Sequence, residues 1–442
     1  MIIIQQPIPS IPELSGLTAN ENIKYRWSKY CLIYKSNSND YLSIYNFLND
    51  GYIIIHKKNI KEYRKYLIEN YFLVPENDDE LILAQKVRSN IINKPVSTLE
   101  TISHYTIMTT LDCNARCYYC YECNAVKNVM DQKTAIDVAD FIIRKSRDYA
   151  RLSWFGGEPL YNEHVIDIIT NKLRKNHINY QSSMVSNGYL FDPAKIDKYK
   201  NEWRLTNVQI TLDGTNEVYN KIKNYIYGGN PYERVMNNID LLSSNGISVA
   251  IRLNLSSINK DDLIEVIHDC KKRFKKRKNI SIYAHPLFDI DIDDSKSYNE
   301  KELKNTYDDL KDIQNEIYKY KNIFTIAKPS FISKGCMANS GNSVVITPVG
   351  KLTVCEHHSD DEIIGDIYSD IYDADLINSW NEHFESENLC LDCPFYPGCF
   401  ALKKCVESNC NKLKRELKTR RFKSLMQQEL KKQLTKQLTK RI

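Results

Sequence analysis

Cys113, Cys117 and Cys120 follow one another at spacings of three and two residues, inside the stretch Thr110 to Glu122. Thiolates so spaced can each take a different iron of a 4Fe–4S cube, which leaves the fourth iron to a ligand the protein does not supply. Zinc sites use similar cysteine pairs, so the triplet by itself leaves the metal open. The triplet directly follows an apolar run, Tyr105 to Leu111, that reads as a buried strand. A second apolar run ends in Trp154-Phe-Gly-Gly-Glu-Pro159, where small residues permit close backbone approach to a ligand. Both groups of residues therefore sit where a strand gives way to a loop.

Seven further cysteines fall within 75 residues: Cys336, Cys355, Cys390, Cys393, Cys399, Cys405 and Cys410. In a reducing compartment such a density calls for metal. Glu356, His357 and His358 directly follow Cys355. Glu356 is a candidate catalytic base, since a carboxylate in a closed pocket is readily tuned for that work; a surface turn carboxylate is the plainer reading. Cys31, Cys123 and Cys270 have no partner at ligand spacing and read as free thiols.

The elements around these residues alternate. From Tyr105 onward, strands near 105–111, 151–155, 182–187, 207–213, 248–254 and 279–285 are interleaved with helices near 131–147, 163–175, 232–244 and 261–273. Six β–α units in order imply a parallel sheet with right-handed crossovers, curled into a partial TIM-type (β/α)6 barrel. Active sites of parallel barrels lie at the C-terminal strand ends. The triplet, Gly156-Gly157-Glu158, Ser186, Asp213, Arg252 and Asn254 are all expected there. Upstream, Pro7, Pro9 and Pro12 suggest irregular chain to about residue 25. Strands at 30–34, 41–45 and 52–56 then form a hairpin-based sheet, with helices near 59–71 and 80–92. A free edge of that sheet could receive a peptide by strand addition; a structural cap on the barrel is the other reading.

Composition narrows the field. A chain of 442 residues exceeds one ordinary domain. Thirteen cysteines without an export signal argue for metal or redox chemistry over a disulfide framework. No apolar run approaches the ~18–20 residues needed to span a bilayer, so a cytoplasmic protein without a membrane partner is expected. Between Lys412 and Arg441 there are twelve Lys or Arg against two Glu, while the whole chain carries only +5. With Leu413, Leu417, Leu430, Leu434 and Leu438 at helical intervals, this tail reads as a basic amphipathic helix: a solvated end, or a dock for an acidic partner.

The Cys-x3-Cys-x2-Cys triplet, with Tyr119 before its last cysteine and Gly-Gly-Glu-Pro after the next strand, resembles the radical SAM superfamily. The cysteines after residue 336 resemble the SPASM extension of its peptide-modifying members. The resemblance implies a 4Fe–4S cluster on Cys113, Cys117 and Cys120 that binds S-adenosyl-L-methionine, and radical chemistry by a 5′-deoxyadenosyl radical. Tyr119, Gly156, Gly157, Glu158, Ser186, Thr211, Lys223 and Arg252 would surround S-adenosylmethionine. Thr211 and Lys223 stand where sulfatase-maturing relatives carry Ser and Arg; the lysine does not keep the bidentate fork. Two auxiliary clusters would take Cys336, Cys355 and Cys405, and Cys390, Cys393, Cys399 and Cys410. The first has no clear fourth cysteine.

The expected division is an α+β peptide-recognition module (1–98), the radical SAM barrel (99–325), the SPASM segment (326–412) and a basic helix (413–442). The expected function is hydrogen abstraction from a ribosomally made precursor peptide, ending in a side-chain cross-link, darobactin-type chemistry among the options. A flavodoxin or ferredoxin would supply electrons, and no nucleic acid partner is expected. The alternatives are a sulfatase-maturing enzyme making formylglycine and, from another class, an iron–sulfur electron carrier or zinc-based peptide-binding protein.

Overall fold

The computed structural model describes all residues except 15–16, 21, 39, 93–98, 123–125, 148, 288–299, 321–335, 359, 386, 400, 406–409 and 440–442. Cys123 and the expected boundaries at 98 and 325 lie outside the described residues. Contacts divide the chain into two compact units. The first combines 1–95, 329–336 and 381–442; the second combines 96–328 and 337–380. The segment expected as one cysteine-rich extension is thus shared between the units, Cys355 going with the second.

The first unit contains strands β1 (Ile2–Gln5), β2 (Tyr25–Trp27), β3 (Cys31–Lys35), β4 (Tyr41–Asn46), β5 (Gly51–His56) and β6 (Leu73–Pro75). It also contains helices α1 (Arg64–Glu69) and α2 (Glu80–Ile92). Four strands form an antiparallel sheet in the order β1-β5-β4-β3, and β2 pairs with β6. The expected hairpin and third strand are present. The start is irregular over most of the described residues 6–24, apart from one turn at Pro12–Leu14, but not at its beginning: Ile2 and Ile3 pair with Ile54 and Ile53, because the β-branched run precedes the first proline and is free to extend. One sheet face packs Leu42, Ile44, Ile53 and Ile55 against Leu67, Ile68 and Phe72. The other packs Leu32, Tyr45, Phe47 and Tyr52 against Phe395, Tyr396 and Met426.

The second unit is built on a nine-stranded sheet. Its strands are β7 (His104–Thr110), β8 (Tyr149–Gly156), β9 (Asn179–Ser186), β10 (Leu205–Leu212), β11 (Ser248–Leu255), β12 (Ile280–Pro286), β13 (Ser343–Ile346), β14 (Lys351–Thr353) and β15 (Gly365–Asp366). They lie in the order β12-β11-β10-β9-β8-β7-β13-β14-β15. β7 to β12 are parallel neighbours in chain order. The intervening helices are α3 (Gln132–Lys145), α4 (Glu163–Lys175), α5 (Asn216–Lys223), α6 (Pro231–Ser244) and α7 (Lys260–Phe274), with α8 (Glu300–Lys319) after β12. The arrangement is an α/β fold consistent with a partial barrel. β12 alternates buried and half-buried residues, as a strand between unlike layers must. α3 buries Val138, Phe141 and Ile142, and Asp131 caps it by accepting from Thr134 N. Strand β13 adds parallel to β7, and β14 and β15 continue antiparallel.

After β15 come α9 (Ala374–Ser379) in the second unit and α10 (Glu387–Cys390) and α11 (Lys412–Thr439) in the first. The basic helix is therefore present, seated by Leu417, Met426 and Leu430. Among the described residues no helix is long and apolar enough to cross a membrane.

Candidate active site

Each parallel strand delivers a different polar group to the same rim of the sheet. The loop after β7 carries the cysteine triplet, and the turn after β8 crosses it. Gly157 N donates to Thr110 O at 2.9 Å and Glu158 N to Asp112 O at 3.0 Å. A Cβ on Gly156 would lie 2.2 Å from Thr110 O, and one on Gly157 2.3 Å from Asp112 O. Gly156 also has φ +114°. The glycines are thus required by the chain's own crossing, which fixes Glu158 beneath the cysteine loop.

Glu158 is fully buried. Its carboxylate accepts from Ser186 Oγ at 2.9 and 3.1 Å, from Asn187 N at 2.8 Å and from Leu160 N at 3.1 Å. Burial pushes its pKa up to about 7 despite these donors. Asn187, the next residue along, donates from Nδ2 to Asn114 Oδ1 at 2.7 Å, inside the triplet.

A second cluster centres on Lys223, at the end of α5. Its Nζ reaches Thr211 Oγ1 at 2.7 Å, Tyr119 OH at 2.8 Å and Asp213 Oδ2 at 2.9 Å, which uses all three N–H groups. Tyr119 OH donates to Asp213 Oδ2 at 2.9 Å and accepts from Asn254 Nδ2 at 3.1 Å. Burial opposes the lysine's charge, yet Asp213 beside it holds its pKa well above the ordinary value. Tyr119, Thr211 and Lys223 are therefore brought together, with Asp213 and Asn254 completing the group. Asp213 and Asn254 were visible in sequence only as strand-end polar residues.

Arg252 pairs in register with Thr211 on the neighbouring strand. Its Nη2 lies 3.1 Å from His285 Nδ1, while Nε is buried without a hydrogen-bond partner. Asp213 Oδ1, Asn254 Oδ1 and Asn114 Nδ2 are likewise buried and unpartnered. Native interiors rarely leave such groups unsatisfied, so their concentration on one rim marks a binding site. Lys223 and Arg252 are the two cations among the residues expected around S-adenosylmethionine. Lys223 is fully engaged by protein groups, and Arg252 retains the spare donor.

Among the described residues no three His, Cys, Asp or Glu side chains stand close enough to hold a single metal ion. Thiolates that each bind a different iron of a cube stand farther apart than ligands of one ion. The donors suit such a cube. Burial pushes the Cys113 thiol up to about 12 and raises Cys117, so a cation is needed to make thiolates there. Ala115 N donates to Cys113 Sγ at 3.3 Å, a turn that aims backbone N–H at the sulfur.

Two further groups of cysteines differ in setting. Cys355 follows β14 in the second unit; its Sγ accepts from His357 N at 3.4 Å. The His357 ring lies 4.4 Å from that of Tyr121, next to Cys120. Glu356 is half-buried in this loop. In the first unit, Cys393 N donates to Cys390 O at 2.9 Å. The Cys410 thiol is raised by burial and then by nearby Cys399 and, less strongly, Cys390; Cys399 also acts on Cys393. These four cysteines thus gather, with Arg415 and Lys418 close by. Cys336 is exposed, and Cys405 is half-buried, its N donating to Leu402 O at 3.3 Å.

Residues 107–270 match the family model of the Radical SAM superfamily. The chain is 22% identical over 394 residues, 82% of its length, to the radical SAM cyclopropyl synthase TigE of Paramaledivibacter caminithermalis, covering 81% of that protein. Its fold resembles native anSMEcpe with bound AdoMet and Cp18Cys peptide, with a TM-score of 0.57, 16% identity, and coverage of 75% of this chain and 98% of that one. It also resembles Streptococcus suis SuiB bound to precursor peptide SuiA, with a TM-score of 0.51, 13% identity, and coverage of 86% and 95%.

Proposed function

We propose that this chain, a radical SAM enzyme of oxidoreductase type, modifies a ribosomally made precursor peptide by hydrogen abstraction and closes a side-chain cross-link. The observation that carries the proposal is the rim of polar groups around the cysteine loop: buried Glu158, Asp213 and Asn254, and half-buried Arg252 with its buried, unpartnered Nε. When bound there, a 4Fe–4S cluster and S-adenosylmethionine supply a 5′-deoxyadenosyl radical. Cys113, Cys117 and Cys120 would hold the cluster. Gly156, Gly157, Glu158 and Ser186 would take the cofactor's amino end, and Arg252 Nε its carboxylate. Thr211 and Lys223 act differently in this reading: with Asp213 they fix the Tyr119 ring, and are positioning residues. The two remaining cysteine sets would hold auxiliary clusters, as the SPASM resemblance implies, and these would accept the second electron as the cross-link closes.

A peptide substrate draws support from the fold shared with SuiB, solved with precursor peptide SuiA, and with anSMEcpe, solved with Cp18Cys peptide. In the first unit, β3 is an edge strand with β4 as its one sheet neighbour among the described residues, an arrangement suited to strand addition. The formylglycine reading rests on Glu356, beside Cys355, as candidate base.

The test is anaerobic reconstitution, reduction and incubation with S-adenosylmethionine and candidate short peptides, any encoded beside this chain's gene first. Methionine, 5′-deoxyadenosine and a peptide lighter by hydrogen without an aldehyde are expected. A hydrazide-reactive aldehyde would replace the cross-link with formylglycine chemistry.

A further inference from the structure

We infer that His358 is the non-cysteine ligand of the auxiliary iron–sulfur cluster to which Cys355 belongs. The inference rests on the proposed auxiliary role of Cys355 and adds the ligand that the cysteine count does not provide.

Cys355 and His358 are separated by two residues, a spacing at which two side chains of one turn can serve one metal site. The local backbone has the form such a turn needs. Cys355 Sγ accepts from the amide of His357, two residues on, at 3.4 Å. Cys113 does the same with Ala115, two residues on, at 3.3 Å. The two cysteine turns are therefore built alike, and both point backbone N–H at sulfur, which stabilises a thiolate.

The two histidines of the loop have different surroundings. His357 is exposed and its ring lies 4.4 Å from that of Tyr121. His358 is half-buried, and its Nδ1 is buried without a hydrogen-bond partner. A buried ring nitrogen with no donor or acceptor is uncommon in a folded protein, and a neutral imidazole nitrogen is a ready metal ligand. Thr353 Oγ1, two residues before Cys355, is buried and unpartnered too. Orphaned polar atoms thus flank the sulfur on both sides in sequence. Glu356 and His357, the intervening residues, are less suited: the first is a carboxylate and the second is turned to Tyr121.

The experiment uses the full chain carrying Cys113→Ala, Cys117→Ala and Cys120→Ala, so that only auxiliary iron is read. The protein is reconstituted anaerobically without S-adenosylmethionine, reduced, and examined by pulsed EPR with unlabelled and 15N-histidine. Iron analysis comes first. Two auxiliary clusters should give about eight irons per chain, and about four or fewer would refute the role of Cys355 itself, and the inference with it. With iron present, a strong nitrogen coupling that changes isotope with the label is expected. It should vanish in His358→Ala and in His358→Cys, persist in His357→Ala, and vanish in His358→Cys without loss of iron. No histidine coupling in the parent protein, or a coupling that survives His358→Ala, would overturn the assignment. Should His358→Ala fail to fold, His358→Cys against the parent decides the matter alone.

Discussion

The Cys113–Cys120 loop and the Cys390–Cys410 region are both cysteine clusters, yet their surroundings have opposite chemistry. The first sits on a rim of carboxylates, amides and a guanidinium, several with unpartnered atoms. The second packs into aromatic surroundings. Phe395 lies 4.8 Å from Phe47 and 5.0 Å from Phe422, and Lys418 stands 4.5 Å over the Phe395 ring. Arg88 of α2 is buried and reaches Cys399 O at 2.7 Å and Glu385 Oε1 at 2.7 Å, tying the region to its own unit. Three cysteines among spare polar groups leave a cube one corner for a ligand, whereas four among aromatics close it. The proposed reading makes the first a reaction site and the second an electron site.

Variants at the two clusters should fail differently. Cys117→Ala is expected to reduce S-adenosylmethionine cleavage to background, read as 5′-deoxyadenosine by chromatography. Cys393→Ala should remove about four irons while leaving that cleavage within a few-fold and abolishing peptide product. Equal loss of cleavage in both variants would erase the distinction. The next effect is on the Lys223 cluster. Asp213→Asn strands a buried ammonium, and chemical denaturation should show a loss of about 3–5 kcal/mol. An unchanged midpoint would mean that the ion pair does not hold the rim. Gly157→Ala should cost less, about 1–3 kcal/mol, by forcing the turn away from Asp112 O. Its mark would be a higher S-adenosylmethionine requirement with cluster iron retained.

The smallest effect is a pH dependence. Glu158 has its folded pKa raised to about 7 from an ordinary 4.5, so the folded state holds a proton that the unfolded chain releases first. Its contribution is present below about pH 4.5 and is lost as pH rises through about 7. Glu158→Gln should flatten the melting temperature of the cofactor-free protein across that window, relative to the parent. Glu122, raised by burial to the same range, remains in both proteins and sets the residual slope.

Local pattern made the parallel strands readable, because each alternates or runs apolar for most of its length. Helix α5 was not read: eight residues after Gly214-Thr215 give too little periodicity, though it carries Lys223 to the rim. The addition of β13–β15 to the sheet was not legible either. Pairing of Val344 with Tyr105 spans more than two hundred residues, and no local signal encodes it. The glycines after β8 were read as ligand-facing. Their closest neighbours are Thr110 O and Asp112 O, so the need for small residues comes first from the crossing of two turns. The orphaned nitrogens of Arg252 and His358 belong to the same class: a sequence shows a polar residue, and only the fold shows that it lacks a partner.

The central claim is that the strand-end rim is a radical-generating site. Reconstituted, reduced enzyme mixed anaerobically with S-adenosylmethionine should yield methionine and 5′-deoxyadenosine in equal amounts, and neither Arg252→Ala nor Cys117→Ala should match it. Iron-loaded, reduced protein that leaves S-adenosylmethionine intact would contradict it.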